Sequence, residues 1–175
     1  MPQTPPRLTL VLGGARSGKS AYAEGVIEAC PGPWLYLATA QSFDAEMAER
    51  IALHRDRRGA GWRTRDVPLA LPEALSEAQG PVLVDCLTLW LTNLMLAEAD
   101  LAAASEALAA ACRTAPGPVA LVANEVGLGI VPENALARRF RDEAGRLHQR
   151  LARLADRVVL TVAGLPLVVK PGATP

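Results

Sequence analysis

Short apolar runs alternate along the chain with longer segments rich in helix formers. Residues 8–12 form the first run, which ends in Gly13 and Gly14, a pattern typical of a strand buried on both faces of a sheet. The same character recurs at residues 34–39, 81–85, 118–123 and 158–162, and residues 62–67 form a possible further strand. Helices are predicted between these runs, at residues 18–29, 43–58, 87–97, 101–113 and 133–155.

The order of these elements determines the predicted fold class. Strands that alternate with helices form βαβ units, which predicts an α/β protein with a mostly parallel sheet and helices on both faces. In the last helix, one face carries the apolar side chains Leu136, Phe140, Ala144, Leu147, Leu151 and Leu154. No repeat, low-complexity linker or charge block interrupts residues 1–175, so we expect a single domain. Ligands of such folds bind at the carboxyl ends of the strands.

Charge and cysteine use exclude some classes of partner. The 175 residues carry 18 basic and 18 acidic side chains, and this zero net charge argues against nucleic acid or an anionic membrane as the main partner. Residues 158–169, the longest nearly uncharged stretch, are fewer than the ~18–20 that a membrane span needs. The three cysteines, Cys30, Cys86 and Cys112, have no metal-ligand spacing, which predicts reduced, structural thiols in a cytoplasmic protein.

The clearest chemical signal directly follows the first predicted strand. The stretch GGARSGKS fits G-x-x-x-x-G-K-[ST], in which backbone N–H groups surround phosphate and a helix N-terminus adds its positive dipole end. We expect Lys19 to reach the β- and γ-phosphates and the Ser20 hydroxyl to ligate Mg²⁺. A dinucleotide-binding G-x-G-x-x-G motif does not fit, because Ala15 stands at the position of its second glycine. The alternative to a phosphate-binding loop is a glycine-rich structural turn. The predicted fold is thus of the P-loop NTPase type, with Gly13, Gly14, Ala15, Arg16, Ser17, Gly18, Lys19 and Ser20 at the nucleotide.

Asp85 is the second candidate for the phosphate site. It directly follows the apolar run Val82-Leu83-Val84. An acid that holds Mg²⁺ directly or through water has this position at the end of a strand. The alternative is that Asp85 caps the helix that begins near Leu87, and both roles can coexist. Asn124 begins a stretch that lacks the lysine and aspartate of a guanine-reading NKxD loop, which weakens the hypothesis of a GTPase switch.

His54 is a candidate nucleophile because of its arginine neighbours. Arg50, His54, Arg57 and Arg58 share one face of the helix predicted at residues 43–58. Nearby guanidinium groups disfavour the imidazolium form, and a neutral ring nitrogen can attack phosphorus. The alternative is a surface histidine at the negative end of the helix dipole. His148, in the middle of the last helix, is predicted to be structural.

Together these motifs resemble the bifunctional adenosylcobinamide kinase/adenosylcobinamide-phosphate guanylyltransferase family of cobalamin assembly. The resemblance covers most of the chain in family order. The matching stretches are GGARSGKS (13–20), YLATA (36–40), DAEMAERIALHRDRR (44–58), WRT (62–64), VDCLTLWLTNLM (84–95), NEVGLGIVPEN (124–134) and RRFRDEAGRLHQRLA (138–152).

The resemblance implies two reactions that use ATP or GTP with Mg²⁺. In the first, the aminopropanol hydroxyl of adenosylcobinamide is phosphorylated, and in the second GMP moves from GTP to that phosphate through a GMP–histidine intermediate. The histidine falls on His54, Lys19 neutralises charge on the triphosphate, and the metal is assigned to Ser20 and Asp85. The further nucleotide contacts fall on Ala38, Thr39, Ala40, Arg55, Asp56, Arg57, Arg58, Asp66 and Asp85.

The resemblance also implies assembly as a homotrimer. This chain departs from the sequence pattern of the family at three positions. Leu53 replaces the first residue of a histidine pair, and Asp66 and Asp85 stand where relatives often have glutamate. The shorter acids reach less far toward a metal or a ribose.

Two other hypotheses for the function stay open. One is a small-molecule P-loop kinase without guanylyl transfer, in which His54 only orients phosphate, and the other is a non-catalytic nucleotide-binding module.

Overall fold

The computed structural model describes residues 6–41 and 59–172. The helix predicted at 43–58, with His54 and its arginines, lies outside the described residues. The strands are β1 (Leu8–Gly13), β2 (Trp34–Ala38), β3 (Trp62–Asp66), β4 (Val82–Asp85), β5 (Val119–Asn124), β6 (Arg157–Val162) and β7 (Leu165–Pro171). The helices are α1 (Lys19–Glu28), α2 (Leu71–Ser76), α3 (Leu87–Leu96), α4 (Leu101–Thr114) and α5 (Ala135–Leu154).

The strands form one sheet in the order β3-β2-β4-β5-β1-β6-β7. All neighbouring pairs are parallel except β6 and β7, which are antiparallel and joined by a tight turn. Because β5 lies between β1 and β4, the carboxyl ends of these three strands meet at one edge of the sheet. Gly13 of β1 is in register with Asn124 of β5, and Asp85 of β4 is in register with Val122.

Alternate residues of the strands pack against helices on opposite faces of the sheet. Val11, Tyr36 and Leu83 join Ala23 and Ile27 of α1 in one buried cluster. A larger cluster on the other face unites strand residues with side chains from α2, α3, α4 and α5. This alternation follows from the two-residue period of a strand. The predicted α/β class, with a mostly parallel sheet and helices on both faces, is confirmed.

The largest fully buried side chain ties α3 to the loop before α2. Trp90 is fully buried, and its indole N–H donates to the carbonyl of Leu69 at 2.9 Å. Burying an aromatic ring of this size is among the largest single contributions to a core, provided that its polar atom is paired. The loop that follows β3 is therefore fixed against the helix that follows β4.

Two described elements differ from the sequence-based expectation, and so does one side chain. The helix α2 and the strand β7 fall in segments for which the sequence pattern predicts no element. Leu136, expected on the buried face of the last helix, is 58% exposed. It lies in the first turn of α5, next to the exposed residues 127–131, whereas the fully buried part of that face starts at Ala144. Within residues 6–41 and 59–172, no helix combines the length and apolarity needed to cross a membrane.

Candidate active site

The loop between β1 and α1 has the backbone geometry of an anion-binding turn. Gly18 is the N-cap of α1 and has φ +90°, a left-handed conformation that favours glycine. Glycine brings no side-chain acceptor to the helix start, so the first N–H groups of α1 remain donors for an anion. Gly14, Ala15 and Arg16 are exposed, while Gly13 and Ser17 are buried beneath them.

The loop is supported from the side of the β6–β7 hairpin. The Ser17 hydroxyl oxygen lies 2.8 Å from that of Thr161 on β6. The backbone N–H of Gly164, in the β6–β7 turn, donates to the carbonyl of Ser17 at 2.9 Å. A Cβ on Gly18 would lie 3.1 Å from the Cα of Gly164, so the turn and the loop are in close contact. The hairpin therefore fixes the middle of the phosphate loop.

Lys19 is held over the same loop. Its Nζ donates to the carbonyl of Gly14 at 3.0 Å, which brings the ammonium group across the turn. The side chain is partly exposed, as expected of a group that meets a ligand at the surface of the loop. The positive charge and the backbone donors thus converge on one loop.

The Asp85 carboxylate faces the first turn of α1. Its Oδ1 accepts from the Ser20 hydroxyl at 3.5 Å, and its Oδ2 accepts from the Tyr36 hydroxyl at 2.5 Å. The alternative that Asp85 caps the following helix is wrong, because the N-cap of α3 is Cys86 and that helix end has no side-chain cap. The Asp85 carboxylate is instead directed to the phosphate loop.

Thr39 holds the ends of β2 and β4 together. Its N–H donates to the carbonyl of Asp85 at 2.9 Å, and its hydroxyl donates to the carbonyl of Cys86 at 2.7 Å and accepts from the N–H of Cys86 at 2.9 Å. The carbonyl of Thr39 accepts from the Asn93 amide at 2.8 Å, and the same amide donates to the carbonyl of Pro68 at 2.9 Å. Thr39 is fully buried, so it supports the site from below.

The other residues predicted on β2 and β3 lie at the same edge of the sheet. Ala38 ends β2 and is in register with both Asp66 of β3 and Asp85 of β4, and the partly exposed Ala40 lies two residues further along the chain. Asp66 ends β3, an outer strand of the sheet, and is exposed. It is therefore separated from the phosphate loop by the strands β2, β4 and β5.

The segment after β5 is anchored to the phosphate loop. The N–H of Glu125 donates to the carbonyl of Gly13 at 3.0 Å, and the Glu125 carboxylate accepts from the N–H of Gly127 at 2.5 Å. His148 of α5 is buried, and among the described residues its Nε2 has no hydrogen-bond partner. Burial lowers the pKa of His148, and the charge of Glu125 partly opposes this shift. His148 is thus an uncharged, buried side chain behind this segment.

The structure brings much of the predicted site together. Gly13 to Ser20, Ala38, Thr39, Ala40 and Asp85 meet at the carboxyl edge, with Asp66 further out on the same edge. The remaining predicted contacts, His54, Arg55, Asp56, Arg57 and Arg58, lie outside the described residues. Sequence reasoning missed the partners Tyr36, Asn93 and Thr161. Only the YLATA and VDCLTLWLTNLM matches marked Tyr36 and Asn93 at all, and no pattern marked Thr161.

The oxygen ligands at the loop fit a magnesium ion bound with a nucleotide. The Ser20 hydroxyl and the Asp85 carboxylate are hard oxygen donors, and Mg²⁺ usually binds one or two such groups together with substrate phosphates and water. In the part of the chain that the structure describes, no group of three or more His, Cys, Asp or Glu side chains forms a protein-only metal cage. The available ligands therefore match a metal that arrives with phosphate.

A strand, a glycine-rich phosphate loop and a helix, beside a sheet-edge carboxylate, define a P-loop nucleotide-binding protein. The fold is similar to that of a solved ATPase domain, with a TM-score of 0.54 and 13% identity over 97% of this chain and 78% of that chain. The CobU family model, described as cobinamide kinase/cobinamide phosphate guanyltransferase, matches residues 9–169. The chain belongs to this family.

Named relatives are similar over nearly their full length. The bifunctional adenosylcobalamin biosynthesis protein CobP of Pseudomonas aeruginosa is 52% identical, over 92% of this chain and 96% of its own. The bifunctional adenosylcobalamin biosynthesis proteins CobU of Salmonella typhimurium and Escherichia coli are 46% and 42% identical, over 93% of this chain and 99% of theirs. The family that the sequence motifs resemble is therefore confirmed.

Proposed function

We propose that this chain catalyses two consecutive reactions at the carboxyl edge of its sheet, adenosylcobinamide kinase and adenosylcobinamide-phosphate guanylyltransferase. The observation that carries the proposal is the convergence of Lys19, Ser20 and Asp85 on the phosphate loop of a chain that belongs to the CobU family. This arrangement supplies the positive charge and the metal ligands that phosphoryl and nucleotidyl transfer both require.

In the kinase step, the loop holds the triphosphate of ATP or GTP. We propose that backbone N–H groups of the loop and of the first turn of α1 donate to the phosphate oxygens, and the Lys19 ammonium lies over the same loop. The aminopropanol hydroxyl of adenosylcobinamide forms a bond to the γ-phosphorus, the bond from that phosphorus to the β–γ bridging oxygen breaks, and the hydroxyl proton passes to solvent water. The nucleoside diphosphate departs with the electron pair, and its growing charge is stabilised by Lys19.

Magnesium would be held by Ser20 and Asp85, where it neutralises charge on the phosphates. The direct protein ligands are few, so the affinity for the metal depends on how well Asp85 is oriented. We propose that Asp66, on an outer strand of the sheet, contacts a more distant part of the nucleotide such as the ribose.

In the transferase step, we propose that a ring nitrogen of His54 attacks the α-phosphorus of GTP. The bond to the α–β bridging oxygen breaks, pyrophosphate leaves, and a GMP–histidine phosphoramidate forms. The phosphate of adenosylcobinamide phosphate then attacks the same phosphorus and displaces His54, which yields adenosylcobinamide-GDP. Arg55, Arg57 and Arg58 provide the charges that hold the phosphate oxygens, with Asp56 among them. Two displacements let one pocket bind GTP first and the bulky corrinoid second.

We further propose that the protein is a cytoplasmic homotrimer. The homotrimer is supported by two groups of exposed apolar side chains that are distant in sequence: Leu128, Ile130 and Val131 after β5, and Leu165, Leu167 and Val169 on β7. A ring of copies needs two different patches that meet head to tail, and this chain offers them. Light scattering should give a trimer mass that Ile130→Asp lowers. Leu96→Asp, an exposed position outside both patches, should leave the mass unchanged.

The two reactions can be separated by variant. Products formed from adenosylcobinamide, Mg²⁺, ATP and GTP are resolved by chromatography for the wild type, Lys19→Ala and His54→Ala. We expect Lys19→Ala to lose both products, and His54→Ala to accumulate adenosylcobinamide phosphate without the GDP product. A His54→Ala protein that makes both products would favour another nucleophile, and a wild type that stops at the phosphate would favour the kinase alone.

A further inference from the structure

The two oxygens of the Asp85 carboxylate have very different hydrogen bonds. The bond from the Tyr36 hydroxyl to Oδ2 measures 2.5 Å, within the range of strong, charge-assisted O–H···O⁻ bonds. The contact from the Ser20 hydroxyl to Oδ1 measures 3.5 Å, at the outer limit for a hydrogen bond. The orientation of the carboxylate is therefore set by the tyrosine, and the weakly engaged Oδ1 is the oxygen that faces the phosphate loop.

The sheet register explains why Tyr36 reaches Asp85. Ala38 of β2 lies beside Asp85 of β4, and Tyr36 lies beside Leu83, so all four residues belong to two adjacent parallel strands. Tyr36, Ala38 and Leu83 are buried in the cluster on the α1 side of the sheet. Because side chains two residues apart share a face, Asp85 also faces α1, whose first turn carries Ser20. The phenol spans diagonally from one strand to the next.

The tyrosine ring itself has little freedom to move. Tyr36 is 3% exposed, and its ring packs edge-on against Trp62, with the ring centroids 6.0 Å apart and the planes at 80°. A ring that is buried and packed against a second ring presents its hydroxyl at a fixed position. A carboxylate bonded to a fixed donor loses the rotation that an exposed aspartate would have.

We propose that Tyr36 is a positioning residue for the divalent cation, and that its hydroxyl aims Oδ1 of Asp85 at the metal that is bound with the nucleotide. The proposal rests on the magnesium site at Ser20 and Asp85. Groups that orient a metal ligand without touching the metal typically change metal affinity or activity by about 10–100-fold when removed. Tyr36 adds no ligand; it restricts the rotation of the carboxylate that faces the loop.

The test is a titration of Mn²⁺, whose free form is counted by electron paramagnetic resonance, into protein saturated with the α,β-methylene analogue of GTP. Without a corrinoid acceptor and with the α–β bond blocked, the nucleotide stays intact. We expect Tyr36→Phe to weaken Mn²⁺ binding about 10-fold. Tyr22→Phe removes the only other tyrosine hydroxyl, from a ring packed against the same cluster, and should leave Mn²⁺ affinity unchanged.

Asp85→Asn distinguishes a failure of the proposed role of Tyr36 from a failure of the metal site itself. If Asp85→Asn weakens Mn²⁺ binding and Tyr36→Phe does not, the tyrosine is only structural and the proposal is overturned, while the metal site stands. If Asp85→Asn also leaves the affinity unchanged, both the metal site and the role of Tyr36 are overturned. In turnover, a positioning role predicts that Tyr36→Phe raises the Mg²⁺ concentration for half-maximal rate and that excess Mg²⁺ restores kcat.

A second measurement keeps the test independent of how well Tyr36→Phe folds. In otherwise wild-type protein containing 3-fluorotyrosine, the two tyrosine signals are assigned with Tyr22→Phe. Adding Mg²⁺ to the nucleotide complex should shift the fluorine signal of Tyr36 more than that of Tyr22. A Tyr36 signal that does not respond to Mg²⁺ would overturn the proposal.

Discussion

The side-chain hydroxyl oxygens of Ser17 and Thr161 lie 2.8 Å apart, although the two residues are separated by 144 positions in the sequence. The same Thr161 hydroxyl donates to the carbonyl of Leu12 at 3.2 Å, so it bridges the end of β1 and the middle of the phosphate loop. The phosphate loop is therefore held by β6 as well as by its own glycines. Its shape depends on a strand that carries none of the proposed nucleotide contacts.

This packing leaves no room for a side chain at Gly13. A Cβ there would overlap the hydroxyl oxygens of Thr161 and Ser17 and lie 2.9 Å from the Thr161 carbonyl oxygen. We expect Gly13→Ala to lower the free energy of unfolding by about 1–3 kcal/mol, as overpacking does. Gly14→Ala is the matched control, since a Cβ at Gly14 meets no atom of the described residues within 4 Å. Urea unfolding measures both, and equal losses would contradict the close packing at Gly13.

Asn93 should matter more for stability than its neighbour on α3. Its amide donates to the carbonyls of Thr39 and Pro68, which belong to two different connections at the carboxyl edge. Asn93→Ala leaves the buried Thr39 carbonyl without this donor, and we expect a loss of about 1–3 kcal/mol in the free energy of unfolding.

Thr92→Val provides the comparison for Asn93. Among the described residues, the Thr92 hydroxyl donates only to the carbonyl of Thr88 within the same helix. The free energy of unfolding, measured by heat and by urea, should therefore change by less than about 0.5 kcal/mol. If Thr92→Val lowers the free energy of unfolding as much as Asn93→Ala does, the hydrogen bonds of Asn93 to Thr39 and Pro68 contribute no extra stability.

His148 makes the stability of the fold depend on pH. Burial lowers its pKa in the folded state, so as pH falls below about 6.5 the unfolded chain binds a proton that the folded chain resists. This contribution to stability is present above that pH and is lost as the pH falls toward the lower, folded-state pKa. His148→Gln removes it, so the stability difference between wild type and variant should shrink from pH 7.5 to pH 5.5 in urea unfolding. A difference that is the same at both pH values would contradict the burial of a neutral imidazole.

The thiols should be inert in the native protein. Cys30, Cys86 and Cys112 are all buried and free, and burial raises the pKa of Cys112 to about 12. The thiolate is the reactive form, so we expect a disulfide reagent such as DTNB to react slowly with the folded protein at pH 8. After denaturation it should titrate all three cysteines rapidly. Rapid, stoichiometric reaction of the folded chain would contradict this packing.

The elements that carry the proposed chemistry could be predicted because their patterns are local. The β1 run, the glycine loop and the start of α1 are contiguous, and an acid that ends the β4 run is visible in the sequence alone. The sequence pattern predicts no helix at α2 because that helix is only six residues long and has a proline in its first turn, where proline is well tolerated. The sequence pattern predicts no strand at β7, which contains Pro166 and Pro171; proline is accepted on an edge strand such as this one.

The other features that the sequence could not predict are contacts between residues that are far apart in the chain. Tyr36 and Asp85 are 49 residues apart, and only the sheet register makes them diagonal neighbours. Whether an aspartate at a strand end caps a helix or faces a loop depends on the same register. A single sequence contains the residue types, but no local pattern records which hydroxyl meets which carboxylate.

The most direct test of the proposed account is the covalent state of His54 after exposure to Mg²⁺ and GTP without a corrinoid. Intact mass spectrometry should show one GMP per chain, lost in mild acid and mapped to the peptide that contains His54. Addition of adenosylcobinamide phosphate should then remove the adduct and yield adenosylcobinamide-GDP. A His54→Ala protein that still carries the GMP adduct, or a wild type that never acquires it while it forms the GDP product, would contradict the proposed mechanism.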